Sequence, residues 1–267
     1  MSLRHPGKHD YLVAAIFVVV ATALVYSGVR LWKHWRNYRP AVDVSAYPVR
    51  GIDVSAHNGI IDFGKVKEAG IDFVFIKASE GTDFRDRRFS ANIDSASAHG
   101  IPAGAYHFFR YDKDGVAQAV NLYNALEGRV PDLGVVIDAE DEGNPRDGDP
   151  AVVVANLAEM IDYLYLRGLP VMLYTNKDGY NQFLRQAFAG YPLWICSFSE
   201  NPIDAEWTFW QYSHTGSVPG IKGNVDLNVF NGTREAWNNR LLLLSVNKAA
   251  EEADAGEFSG QSPNGSE

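Results

Sequence analysis

Two carboxyl side chains stand two residues apart at the end of an apolar run, Val135-Val136-Ile137-Asp138-Ala139-Glu140. A short run rich in β-branched residues reads as a buried strand, in which positions i and i+2 share a face with Cα atoms roughly 6.5 to 7 Å apart. Two acids crowded on one face of a partly dry site raise the pKa of at least one, so that a proton donor stands beside an anion at neutral pH. Cleavage of a glycosidic bond uses such a pair: the acid protonates the leaving oxygen and the anion supports an oxocarbenium-like transition state. Alone, a D-x-E is as well explained by a solvated strand end or a metal site, the more so because Asp141 and Glu142 continue the acidic run.

The polar residues that close the other apolar runs bear on the choice. These runs end in Asp53 and Ser55, Lys77 and Glu80, Tyr106 and His107, Tyr174 and Asn176, Gln211 and Tyr212, and Asp226 and Asn228. Asp53 and Asp226 belong to the first and last strands, which a closed barrel places side by side. Four carboxyls then converge, and a divalent cation competes for them because hard cations favour oxygen clusters. Tyr106, Tyr174, Trp194, Trp210 and Tyr212 favour sugar, whose faces stack on aromatic rings; a metal site needs no such walls. The resulting expectation makes Glu140 and Asp138 catalytic and Asp53 and Asp226 supporting acids. It assigns Tyr106, Tyr174, Trp194, Trp210, Tyr212, Lys77, Glu80, Asn176, Gln211 and Asn228 to substrate binding, with no metal and no cofactor. His57 and His107 lie near strand ends but lack the paired spacing of zinc ligands, and both read first as structural. There is no GxSxG, P-loop or GxGxxG, which sets aside nucleophilic serine and nucleotide chemistry.

Elements that could position these residues alternate along the chain. β-rich runs cover Gly51 to Val54, Phe73 to Ala78, Ile101 to Phe108, Leu133 to Ala139, Pro170 to Thr175, Pro192 to Ser197, Thr208 to Tyr212 and Val225 to Phe230. Helical spacing covers Phe63 to Ala69, Arg87 to His99, Val116 to Leu126, Val152 to Leu166 and Asp178 to Phe188, each followed closely by a glycine suited to a helix stop. Between the last three strands there are only loops. Five βα units followed by three strands predict one α/β domain over 50–244, a TIM-like, parallel barrel of eight strands with about five helices and the last helices missing. Active sites of such barrels form at the C-terminal ends of the strands.

Outside this domain, Leu12 to Val29 is an almost unbroken apolar run after an N-terminal flank of residues 1–11. As a helix it spans roughly 27 Å, close to the thickness of a bilayer core. Trp32, Trp35, Arg30, Lys33, Arg36 and Arg39 follow, as at a membrane interface. Ala21-Thr22-Ala23 has the form of a signal-peptide cleavage site, but the apolar run continues past it, so an uncleaved anchor is expected, with a linker over 30–49. Residues 245–267 are acidic and rich in small side chains and read as a disordered tail. The formal charge of -9 and the absence of a basic stripe exclude nucleic acid as a partner. The single cysteine, Cys196, excludes an internal disulfide and reads as a core residue.

The segments GIDVSAHNG (51–59), FVFIKASEGTDF (73–84), GIPAGAYHFFR (100–110), VVIDAEDEG (135–143), LYTN (173–176), LWICSF (193–198), WTFWQYS (207–213) and NVDLNVF (224–230) resemble, in order, glycoside hydrolase family 25, the muramidase lysozymes. The resemblance implies an eight-stranded barrel with fewer than eight helices, and peptidoglycan cleaved between N-acetylmuramic acid and N-acetylglucosamine. It also implies Glu140 as general acid and base, Asp138 as nucleophile or as support for an attacking 2-acetamido group, Asp53 and Asp226 as floor acids, and Tyr106 beside the scissile bond. Ala56-His57-Asn58 and Cys196-Ser197 depart from the family's more usual residues, which bears on subsite preference. More basic residues follow the apolar run than precede it, which by itself points the domain to the cytoplasm. Assembled peptidoglycan is outside, so the expectation is a single-pass protein of the inner membrane with its domain extracytoplasmic. A non-catalytic glycan-binding module, a glycosidase of other N-acetylhexosamine polymers and a metal-dependent hydrolase are the alternatives.

Overall fold

The computed structural model describes residues 18–30, 42–145, 149–198, 202 and 205–246. The chain divides into two compact units, Met1–Ala41 and Val42–Glu267. In the first, residues 18–30 form a helix, α1; residues 12–17 of the expected span, the flank 1–11, and Trp32 and Trp35 lie outside the described residues. Among the described residues no helix is long and apolar enough to cross a membrane.

The second unit contains β1 (Arg50–Val54), β2 (Phe73–Glu80), β3 (Phe84–Arg85), β4 (Ala103–Phe108), β5 (Val135–Asp138), β6 (Val171–Asn176), β7 (Leu193–Cys196), β8 (Phe209–Gly216) and β9 (Val225–Phe230). Their order, β1-β9-β8-β7-β6-β5-β4-β2-β3, with β1 also paired to β2, closes a barrel of eight strands to which β3 adds a short edge. β1, β2 and β4 to β8 run parallel, but β9 is antiparallel to both β8 and β1. The expected all-parallel sheet is corrected here, and the reason is connection length. Residues 217–224 carry no helix, and so short a link can join only antiparallel neighbours.

The helices on the outside are α2 (Phe63–Glu68), α3 (Phe89–Ala98), α4 (Gly115–Ala125) and α5 (Pro150–Tyr165). After them come α6 (Lys177–Gly179), a π-helical turn (Tyr180–Leu184) and α7 (Arg185–Ala187), which together replace the continuous helix expected from 178 to 188. Their starts are chemically marked. Asp62 accepts from the Lys65 N–H at 3.1 Å, Asp114 from Ala117 at 2.7 Å and Asp149 from Ala151 at 2.9 Å, each satisfying an amide that the helix cannot. At Gly115 a Cβ would lie 1.9 Å from the Asn156 carbonyl oxygen, so the contact of α4 with α5 depends on a residue without one.

Two apolar layers result. Ile52, Val74, Ala105, Ile137 and Ile195 point outward into the layer beneath the helices, whereas Phe73, Phe75, Val136, Met172, Trp194 and Phe209 fill the barrel. Val42, Val44 and Tyr47 pack on the outer layer and Val49 is buried in the inner one, so residues 42–49, expected as linker, belong to the barrel unit.

A helix that sequence spacing did not indicate, α8 over 234–246, follows β9 and takes in Ser245 and Val246 of the expected tail; 247–267 lie outside the described residues. Its Trp237 is 3% exposed and meets Phe73, Phe209 and Phe230 at ring distances of 5.4, 6.2 and 5.3 Å. Trp237→Ala should therefore lower stability by about 3 to 5 kcal/mol, measured by urea denaturation; a loss under about 1 kcal/mol would mean that α8 is dispensable to the inner core.

Candidate active site

Strand parity decides which side chains reach the barrel mouth. On β5, Val136 lies inside the barrel and Val135 and Ile137 outside, so Asp138 and, by the same alternation beyond the strand end, Glu140 turn inward. On β2 a bulge between Lys77 and Ser79 resets the alternation, bringing both Lys77 and Glu80 inward, and β2 runs two residues further than expected. Reversal of β9 has the larger consequence. Asp226 is the second residue of its strand, which in a parallel strand would sit at the far end of the barrel. Running the other way, it lies at the mouth in register with Asp53.

The floor below these acids is a chain of hydrogen bonds. Trp194, stacked on Phe75 at 4.4 Å, donates its indole N–H to Asn228 Oδ1 at 2.8 Å. Asn228 Nδ2 and Gln211 Nε2 donate to Asp53 Oδ2 at 2.8 and 2.9 Å, and Tyr174 Oη donates to Gln211 Oε1 at 2.8 Å. Expected as substrate contacts, Asn228, Gln211, Tyr174 and Trp194 are buried and spend these polar groups on fixing Asp53. Burial and the charge of Asp226 push the Asp53 carboxyl well above the usual range, and burial raises Asp226 as well. The hydrogen bond between the two carboxyls raises Asp53 and lowers Asp226, so of the pair Asp53 holds its proton to the higher pH.

Asp138 is 7% exposed, and its Oδ1 has no hydrogen-bond partner among the described residues. Burial, then the neighbouring Glu140, hold its pKa well above the usual carboxyl value, while the Lys77 ammonium opposes the shift. Glu140 is raised to about 7, first by burial and then by Glu142, Asp53 and Asp141, with Lys77 again opposing. Lys77 is itself fixed by Glu80 at 2.7 Å, between the rings of Phe108 at 5.3 Å and Phe84 at 5.5 Å. Phe108 was not expected here, although it follows Tyr106 by two residues and so shares its inward face. Tyr106 is half-buried over the Trp194 edge at 6.4 Å.

Other expected residues are placed differently. Trp210 and Tyr212 lie on the outer face of β8, where Trp210 is fully buried against Tyr47 and Trp207 and donates to the Ser197 carbonyl at 2.8 Å. Neither ring reaches the mouth. Trp210→Phe should cost about 1 to 3 kcal/mol of stability through the lost hydrogen bond and volume and leave KM within about twofold; a KM raised tenfold at unchanged stability would return this ring to the substrate. Asn176 accepts from the Gly179 N–H at 2.9 Å and lines a recess of about 550 Å³ beside Asp141, Glu142 and Tyr111. His107 is buried outside the barrel between Ser79 and Gln118, and burial lowers it to about 4. His57 is exposed at the end of β1. Cys196, expected in the core, is half-buried on the inner face, its thiol pushed up to about 12 by burial. Among the described residues no group of three His, Cys, Asp or Glu side chains could hold a metal ion.

A carboxyl raised to about 7 beside a second buried carboxyl is the equipment of glycosidic bond cleavage. The model of glycosyl hydrolases family 25 matches residues 52–221. The chain belongs to this family. It is 35% identical over 185 residues to the autolytic lysozyme of Clostridium acetobutylicum, covering 68% of this chain and 56% of that one. Over 219 residues it is 36% identical to lysozyme M1 of Streptomyces globisporus, covering 75% and 72%. A family 25 glycosyl hydrolase from Bacillus anthracis superposes with a TM-score of 0.70 at 31% identity, covering 76% of this chain and 97% of that one. The matched region contains Asp53, Asp138 and Glu140, and Asp226 follows just beyond it.

Proposed function

We propose that this family 25 glycoside hydrolase is a muramidase, cutting the β-1,4 bond between N-acetylmuramic acid and N-acetylglucosamine in peptidoglycan strands. Glu140, raised to about 7, holds the proton that the leaving oxygen needs and, once ionised, takes one from water. The observation that carries the assignment of Asp138 is its buried Oδ1, which has no partner among the described residues. A buried carboxylate oxygen is costly unless a donor reaches it. The N–H of a 2-acetamido group is such a donor. Held there, the acetamido carbonyl oxygen attacks C1 as Glu140 protonates the departing oxygen, and water opens the cyclic intermediate with retention. Half-buried Tyr106 lines the mouth beside the bond, and Lys77 limits how far both acids are raised. No step needs a cation.

The chain is proposed to be tethered to the inner membrane through 12–29, with the barrel outside. The support is the apolar run and the location of the substrate; activity of a cytoplasm-only reporter fused at the C terminus would count against it. The function itself is tested by digesting purified peptidoglycan with the full chain in detergent and identifying reduced ends by mass spectrometry. Muramic acid ends are expected; ends on N-acetylglucosamine alone would replace the muramidase reading with a glucosaminidase.

A further inference from the structure

Glu140 stands beyond the end of β5, which closes at Asp138, so the ladder of the sheet does not by itself fix the acid. Ala139 is still held by β6, its N–H donating to the Tyr174 carbonyl at 2.9 Å and its carbonyl accepting from Thr175 Oγ1 at 2.7 Å. Next along the chain, the contact on the Glu140 backbone comes from four residues downstream. Asn144 Nδ2 donates to the Glu140 carbonyl at 2.9 Å and to the Phe109 carbonyl at 2.9 Å, while Asn144 Oδ1 accepts from the Tyr111 N–H at 3.0 Å. The Asn144 N–H closes the turn onto the Asp141 carbonyl at 3.1 Å. At 9% exposure these bonds are shielded from competing water. One amide thus ties the turn that carries Glu140 to the segment following β4.

We propose that Asn144 is a positioning residue, holding Glu140 in the barrel mouth through the backbone of the 140–144 turn. This rests on the reading of Glu140 as the acid. A carboxyl at i+2 past a buried strand can swing to solvent unless its turn is pinned, and a displacement of about 1 Å at a catalytic group can cost on the order of 100-fold in rate. Asparagine suits the position because it offers two donors and an acceptor at once, without adding charge. The charged groups facing Glu140 are Asp53, Lys77, Asp138, Asp141, Glu142 and Asp226, and substitution at 144 removes none of them.

The test is Asn144→Ala in the full chain. Glu140 is titrated by carboxyl ¹³C NMR, its signal assigned by its loss in Glu140→Gln, and kcat and KM are measured on peptidoglycan. The expected result is a Glu140 midpoint that falls from about 7 toward ordinary carboxyl values as the side chain gains water, with kcat down at least tenfold and KM within twofold. A purely stabilising role would lower the melting temperature and leave the midpoint where it is, and that result overturns the proposal. If the alanine variant does not fold, Asn144→Ser is read in its place with the same two outcomes. Because the titration needs no turnover, a wild type that cuts nothing would refute the muramidase reading without deciding the role of Asn144.

Discussion

Glu140→Gln is expected to lower kcat on peptidoglycan by on the order of 10³-fold, with little change in substrate affinity. Glutamine keeps the shape and the hydrogen-bonding reach but has no proton to give to a leaving sugar oxygen. Affinity should survive because the groups that shape the mouth, among them Tyr106, Lys77 and Phe108, do not depend on the charge at 140. Steady-state rates on solubilised glycan strands, alongside binding to insoluble peptidoglycan, separate the two quantities. Loss of binding in parallel with rate would mean that Glu140 grips substrate more than it transfers a proton. A rate reduced less than tenfold would place the acid elsewhere.

Asp138→Asn should lower activity by about 100-fold and raise stability at the same time. The activity argument is that Asp138 must be anionic to orient and polarise an acetamido group, and an amide can do so only weakly. The stability argument follows from linkage. Asp138 has a folded pKa well above the value of 3.8 expected when unfolded, so the folded state holds the proton more tightly than the unfolded one. Its contribution is then fully favourable below about pH 4 and is lost as pH rises through the folded pKa. Glu140, with a folded value of about 7 against 4.5, and Asp53 and Asp226, both raised, act in the same direction. Wild-type melting temperature should therefore fall from pH 5 to pH 8, and the asparagine variant should fall less, gaining about 1 to 2 kcal/mol over wild type at pH 8. Parallel curves would show that Asp138 is not under electrostatic strain.

The shared face of Asp138 and Glu140 was legible because β5 alternates cleanly between inner and outer layers, so their spacing translates directly into a common direction. Asp226 lies beside Asp53 for a reason the sequence argument lacked: its position at the start of a strand suits the mouth only because β9 is reversed, and strand direction leaves no mark in β9 itself. Trp210 and Tyr212 were misplaced because a count from the strand end marks depth in the barrel but not the face. Their neighbour Gln211 faces inward, so they face out. The roles of Gln211, Asn228 and Tyr174 depend on hydrogen bonds between strands far apart in sequence, such as Asn228 to Asp53, which no local pattern contains. Helix α8 was missed for a different reason. Its run Leu241 to Leu244 is apolar all round, with Leu242 and Leu243 exposed, and so lacks the one-sided spacing by which a surface helix is recognised. Asn144 looked like an ordinary turn residue, since its value lies in the three backbone groups it joins.

The measurement closest to the central claim is the pH dependence of kcat/KM for the full chain on solubilised glycan strands. In the free enzyme its alkaline limb reports the ionisation of the general acid. If the buried, acid-flanked Glu140 is that group, activity falls with a midpoint near 7, and the midpoint matches that of the Glu140 carboxyl followed by ¹³C NMR in the same buffer. An alkaline limb near 4 to 5, or one that fails to follow the Glu140 titration, would contradict the account and move the proton donor to another residue.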